Sequence, residues 1–262
     1  MEPILNEGYT IPLEQVMDAS RKEPQETLEQ RITERTHRIH ERIVDAASRA
    51  DRDPDEVTLI AVVKTFGPEV IRAAYRAGLR HFGESYAQDL RDKSASLSDL
   101  EDIIWHFIGR IQTNKARYIA GPTAMVHAVD RTAAAEAISN RVERKGLSPP
   151  DVLVSVNLAD ERTKGGTAEE EAASLCTTVD RLPGVKLRGL MTIPPWTENP
   201  EDSRPWYRRL SRLGEQVRGK MHDPSVFHLS MGMSHDVEVA IEEGATLVRV
   251  GTALLGERKK RG

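Results

Sequence analysis

From Val57 onward the chain alternates short strand-like runs with helical stretches, presenting eight such runs. The apolar or β-prone runs are Val57–Val63, Arg80–Gly83, Ile103–Gly109, Met125–Val129, Val152–Asn157, Leu187–Thr192, Val226–Leu229 and Thr246–Gly251. Between them, helical spacing of apolar residues predicts helices over Pro68–Ala77, Tyr86–Lys93, Asn114–Ile119, Thr132–Lys145, Ala168–Asp180, Asp202–Met221 and Asp236–Glu243. Strands joined by crossover helices pair in parallel. Eight such units in about 200 residues is the count of a closed α/β architecture, the (β/α)8 TIM barrel. The competing arrangement is an open doubly wound sheet.

A longer amphipathic helix, Thr27–Arg49, precedes the first strand, with Leu28, Ile32, Ile39, Ile43 and Ala46 or Ala47 on one face. Residues 1–25 are polar and interrupted by Pro3, Pro12 and Pro24, which marks an extension outside the core. The barrel is expected to occupy 26–258 as one domain, and residues 259–262 to form a solvated basic tail continuing from Arg258.

With 262 residues, 39% of them hydrophobic, the chain can bury a full core. A net charge of −4 gives no reason to expect a nucleic-acid partner. No apolar run approaches the ~20 residues that span a bilayer, and the N-terminus lacks a signal-peptide pattern. The single cysteine, Cys176, cannot form an internal disulfide and reads as a buried structural thiol. The expectation is a cytoplasmic monomer. Zinc-site spacing, a P-loop and a G-x-S-x-G elbow are all lacking.

In a parallel barrel the chemistry gathers at the C-terminal ends of the strands. Lys64 closes the apolar run Leu59–Val63, where desolvation favours the neutral amine that attacks aldehydes; a lysine snorkelling to solvent is the plain alternative. Ser230-Met231-Gly232-Met233-Ser234 ends the seventh run and Gly251-Thr252 the eighth. Small residues, hydroxyls and unpaired amides there are the parts of a phosphate cradle, or simply of turns and caps. Arg249 lies inside the last apolar strand and needs a partner: an acid of the barrel, or the ring nitrogen of a bound cofactor. His106 and His228 lie within strands and read as hydrogen-bonded core residues.

Taken together, Lys64-Thr65, Phe82-Gly83-Glu84, Trp105-His106-Phe107-Ile108-Gly109 with Gln112 and Asn114-Lys115, Val156-Asn157 with Lys164 and Gly166, Gly189–Pro194, Leu229–Ser234 with Asp236, and Val248–Thr252 resemble the pyridoxal 5′-phosphate (PLP) homeostasis proteins. The resemblance runs from about residue 28 to residue 258. It implies a single barrel of PLP fold type III, similar to the N-terminal domain of alanine racemase but without that enzyme's second domain. It implies that Lys64 is the Schiff-base lysine, that Ser230, Gly251 and Thr252 bind phosphate with amides near Met231, and that Arg249 faces the pyridine nitrogen. Asn157 and Met191 are implied to line the same pocket. The chain departs from the family pattern at Val63, at Phe66 (where a second lysine is usual), at Ser85, at Arg110-Ile111 and at Leu255.

The function implied is a non-catalytic PLP carrier in vitamin B6 balance and cofactor supply, with PLP-dependent apoenzymes as recipients. An arginine at the ring nitrogen leaves that nitrogen unprotonated and weakens the ring as an electron sink. The altered rim at Phe66, Ser85 and Arg110 leaves open a specialised PLP enzyme of racemase or lyase type acting on an amino acid, with Arg110 meeting the substrate carboxylate. A third reading is a barrel that has lost PLP and serves as an interaction protein.

Overall fold

In the computed structural model, which describes residues 26–159, 161 and 165–257, eight parallel strands close into one barrel. The expectations for residues 1–25, for Lys164 and for the basic tail lie outside the described residues. The strands are β1 (Thr58–Val62), β2 (His81–Glu84), β3 (Ile104–Phe107), β4 (Met125–Val129), β5 (Asp151–Ser155), β6 (Lys186–Met191), β7 (His228–Ser230) and β8 (Leu247–Val250). Each pairs with its sequence neighbour, and β8 closes on β1 with Ile60 opposite Arg249 and Ala61 opposite Val250. The closed barrel, not the open sheet, is therefore the architecture.

The helices are α1 (Leu28–Arg49), α2 (Pro68–Arg76), α3 (Ala87–Ser96), α4 (Ala116–Ile119), α5 (Thr132–Lys145), α6 (Glu169–Val179), α7 (Arg204–Arg218), α8 (Val237–Glu242) and α9 (Thr252–Leu255). Two expected helices begin instead as single 3-10 turns, Thr113–Lys115 and Pro200–Ser203. In the second, Pro200 starts the turn and Asn199 caps it by accepting from the Glu201 amide.

Helix α1 starts at a reciprocal cap: Thr27 accepts from the Gln30 amide, and the Gln30 side chain accepts from the Thr27 amide. Its buried stripe, Ile32, Ile39, Ile43, Ala46 and Ala47, packs against α2, α8 and α9. Since α9 is only one turn long, α1 fills the place where a barrel's eighth outer helix would lie. Arg42 and Glu238 pair across the α1–α8 contact at 2.5 Å.

Cys176 is buried, and burial pushes its thiol up to about 12, as a structural thiol requires. Among the described residues no helix is long and apolar enough to cross a membrane, and no cluster of metal-ligating side chains is present.

Candidate functional site

Strand β1 runs out at Val62, and the chain turns through Val63, Lys64 and Thr65 at the C-terminal rim. Three bonds hold that turn at Val63. Its amide donates to the Gly83 carbonyl (2.9 Å), and its carbonyl accepts from the Phe66 amide (3.1 Å) and from Lys93 Nζ (2.9 Å). Lys93 also pairs with Glu84, which is fully buried at the end of β2. The other Glu84 oxygen accepts from the amides of Ser85 (2.6 Å) and Tyr86 (3.0 Å). A buried ion pair is stable only when its remaining lone pairs are satisfied, and here two amides satisfy them. The pair ties the end of β2 to the Val63 carbonyl, one residue before Lys64.

Thr65, next to Lys64, has φ +72°, a left-handed conformation that β-branched residues rarely adopt, and its hydroxyl is buried without a partner. Such a residue costs about 1–3 kcal/mol and persists only where its surroundings over-determine it. Lys64 itself is half-buried and borders a hollow of about 340 Å³ with Ser85, Tyr86, Gly109, Arg110, Gln112 and Lys115.

Closure of the barrel sets β8 between β1 and β7, so residues far apart in the chain share one sector of the rim. Arg249 is 4% exposed and donates to Ser230 Oγ (2.5 Å) and to the Thr192 carbonyl (3.0 Å). The salt bridge to a barrel acid that its position allowed does not form: among the described residues Arg249 has no ion-pair partner. Burial pushes its guanidinium down to about 10, with Tyr207 and Asp236 pulling the other way. Gly251 and Thr252 lie at the start of α9, and their amides donate to no group among the described residues. Ser234 places its hydroxyl at the same turn, 3.4 Å from the Ala253 amide.

The loop leading to Ser234 is pinned from below. Asp236 accepts from the Met233 amide (2.8 Å) and from the Tyr207 hydroxyl (2.6 Å), and both side chains are buried. Gly232 has φ +89°, and a Cβ there would stand 2.6 Å from Ala240 Cβ, so only glycine lets the loop run this close to α8.

Several expected site residues sit differently from what their place in the sequence implied. Ser230 is fully buried with its hydroxyl directed into the barrel, bonded to Arg249 and to His127 Nδ1 (2.8 Å); the hydroxyl at the rim is that of Ser234. The reason is strand alternation, which sends Ser230 to the lumen along with Arg249. Met231 is likewise buried, and its amide is taken by the Leu247 carbonyl (3.1 Å). Asn157 closes its own loop, donating to the Glu161 carbonyl (3.0 Å) and accepting from the Glu161 amide (3.3 Å). Met191 ends β6 and borders a second hollow of about 150 Å³ with Ile108, Ala128, Asp130 and Ser155; Arg110 borders both hollows.

Three histidines fill the lumen below Arg249. His127, on β4, bonds His106 on β3 (2.9 Å), which bonds His81 on β2 (2.9 Å). His106 is thus the hydrogen-bonded core residue its strand position suggested. His228 is half-buried and bonds Thr246 Oγ1 (3.1 Å). Burial, with the nearby His81 and His228, holds His106 down at about 3, and burial with His106 and Arg249 lowers His127 far below the usual range. His127 was detectable by the signal that marks Arg249, a polar residue inside an apolar strand (Met-Val-His-Ala-Val).

Residues 35–259 match the family model of the alanine racemase N-terminal domain. A pyridoxal phosphate homeostasis protein of Aquifex aeolicus is 47% identical over 86% of this chain and 98% of its own length. The chain belongs to the pyridoxal phosphate homeostasis proteins. A further member, from Pseudomonas aeruginosa, is 44% identical over 87% of this chain and 96% of its own. The solved structure of the homologue PipY of Synechococcus elongatus, with PLP bound, superposes with a TM-score of 0.74 at 33% identity, covering 86% of this chain and all of PipY. Against the usual family pattern, Phe66 packs on the core, Ile111 and Leu255 are buried, and Arg110 stands 75% exposed and 4.0 Å from Asp130.

Proposed function

We propose that this chain binds PLP covalently through the Lys64 amine and holds it as a carrier in cellular vitamin B6 balance, supplying the cofactor to apoenzymes. The observation that carries the reading is the convergence of three strand ends, β1, β8 and β7, on one sector of the rim. On or just after these neighbouring strands lie an amine (Lys64), a guanidinium without an ion pair among the described residues (Arg249), a hydroxyl (Ser234) and two amides without an acceptor among the described residues (Gly251 and Thr252), which supports the reading. That donor set fits an anionic pyridine aldehyde. The Gly251 and Thr252 amides with Ser234 Oγ would hold the phosphate, and Arg249 would donate to the ring nitrogen. PLP, when bound, supplies an aldehyde that a primary amine captures reversibly.

The residues of this chain do the rest. The Glu84–Lys93 pair and the Thr65 turn fix where the Lys64 backbone stands. Ser230 and the Thr192 carbonyl fix Arg249. A donor-only arginine leaves the ring nitrogen unprotonated, which suits holding the cofactor better than carbanion chemistry. Under the enzyme reading Arg110, which borders the Lys64 hollow, would meet a substrate carboxylate; its side chain is 75% exposed and 4.0 Å from Asp130.

The test is the visible spectrum of the protein with added PLP, for wild type and Lys64→Ala. Expected is a band in wild type that borohydride bleaches, and no such band in the variant. A band that survives Lys64→Ala would move the anchor elsewhere, and no band in wild type would overturn the reading. A panel of amino acids should then leave the wild-type band unchanged and yield no product.

A further inference from the structure

Four hydrogen bonds run in series from Arg249. Arg249 Nη1 meets Ser230 Oγ at 2.5 Å, Ser230 Oγ meets His127 Nδ1 at 2.8 Å, His127 Nε2 meets His106 Nδ1 at 2.9 Å, and His106 Nε2 meets His81 Nδ1 at 2.9 Å. The path runs from β8 to β7, across the barrel to β4, and on through β3 to β2. Strands β7 and β4 are not neighbours in the sheet, so the Ser230–His127 bond spans the interior.

The direction of each bond follows from what its atoms can do. A guanidinium has donors only, so the first bond runs from Arg249 to Ser230. Ser230 is fully buried and has one hydroxyl hydrogen to give. Of its two partners only His127 Nδ1 can accept it. The opposite arrangement, with Nδ1 donating, would strand the hydroxyl hydrogen in a dry site, which buried groups avoid. A neutral His127 that accepts at Nδ1 carries its hydrogen on Nε2 and gives it to His106. The same step then repeats from His106 to His81. A charged ring is disfavoured at His127, where burial, His106 and the Arg249 cation oppose it, and at His106, where burial and the neighbouring His81 and His228 do.

We infer that His127 and His106 are positioning residues for Arg249, forming with Ser230 and His81 a one-way hydrogen-bond chain that takes the place of a directly bonded carboxylate. Asp236 acts on the guanidinium only through space. A carboxylate would neutralise the guanidinium and take two of its donors. A hydroxyl backed by neutral imidazoles takes one, keeps the positive charge, and leaves donors for an acceptor at the rim. That this acceptor is a pyridine nitrogen rests on the function proposed above; the direction of the chain does not.

Nitrogen NMR of histidine-labelled wild-type protein without PLP reads the chain directly. Expected are His81, His106 and His127 each protonated at Nε2 and bare at Nδ1. A proton on His127 Nδ1, or an imidazolium at His127 or His106 near neutral pH, overturns the chain. Positioning is read on the Arg249 Nε–H signal, again without PLP. It should be sharp in wild type and in His127→Gln, whose carbonyl can still accept from Ser230, and broadened by exchange in His127→Leu. An unchanged signal in the leucine variant overturns the positioning role. With PLP added, His127→Leu should bind about tenfold more weakly and His127→Gln should recover most of that loss. Equal affinity in wild type and leucine variant counts against the inference. Failure of wild type to take up PLP at all refutes the proposed function instead, and the spectra without PLP still decide the chain.

Discussion

Replacing Lys93 with methionine should destabilise both the fold and the anchor site, and the structure sets the size of the effect. The Lys93 side chain is 9% exposed and Glu84 is fully buried, so solvent screens the pair very little. Methionine fills similar volume but leaves the Glu84 carboxylate facing only the Ser85 and Tyr86 amides. Removing one partner of a buried pair costs about 3–5 kcal/mol. The Val63 carbonyl loses its Nζ donor as well, but keeps the Phe66 amide, so that term adds at most about 1 kcal/mol. Against a typical total of about 5–15 kcal/mol the loss is large.

The double variant Lys93→Met/Glu84→Gln separates charge from packing, because a neutral glutamine oxygen still accepts from both amides. It should regain about 2–3 kcal/mol of the loss. Urea unfolding of wild type, both single variants and the double variant closes the cycle. PLP titration should show weaker uptake in Lys93→Met, since the Val63–Thr65 turn loses its clamp. A Lys93→Met unfolding free energy within about 1 kcal/mol of wild type, or strictly additive single effects, would refute the claim that a buried charge pair sets the strand ends.

Three further outcomes are expected. His106 and His127 stay neutral in the fold far below the usual value of 6.5, whereas in the unfolded chain they protonate near it, so their contribution is intact above about pH 6.5 and falls as the pH drops towards the folded values. For His106 the loss is about 2 kcal/mol at pH 5, His127 adds to it in the same direction, and urea curves at pH 7 and 5 should show a His127→Gln variant losing part of that difference. Gly189 has φ +137°, and a Cβ there would lie 1.9 Å from the His228 carbonyl oxygen, so Gly189→Ala should cost at least about 4 kcal/mol or prevent folding; a melting temperature near wild type would contradict this. Ser234→Ala should weaken PLP uptake while leaving the His127 ring signals in place, and Ser230→Ala should shift those signals; if both variants shift them alike, the two hydroxyls do not occupy separate positions.

The elements of the barrel are local, and so they were legible in the chain. Period-two and period-3.6 patterns over a few residues set β4 and α5 at the expected bounds and most other elements within two or three residues. A lysine ending an apolar run and an arginine inside another stood out for the same reason: one charged residue against apolar neighbours is visible without any partner. What those residues face is not local. Ser230 and Ser234 belong to one short motif, yet one turns into the lumen and the other to the rim, a choice made by where β7 ends and its loop begins. The histidine chain joins positions 81, 106, 127 and 230, which meet only because the strands close on themselves and cross-lumen distances shrink to hydrogen-bond length. Likewise Lys93 finds Val63 thirty positions away only once α3 packs over β1 and β2. Sequence alone determined which residues could carry charge in an apolar interior; barrel closure decided which of them touch, because a buried polar group takes whatever partner the fold brings within reach.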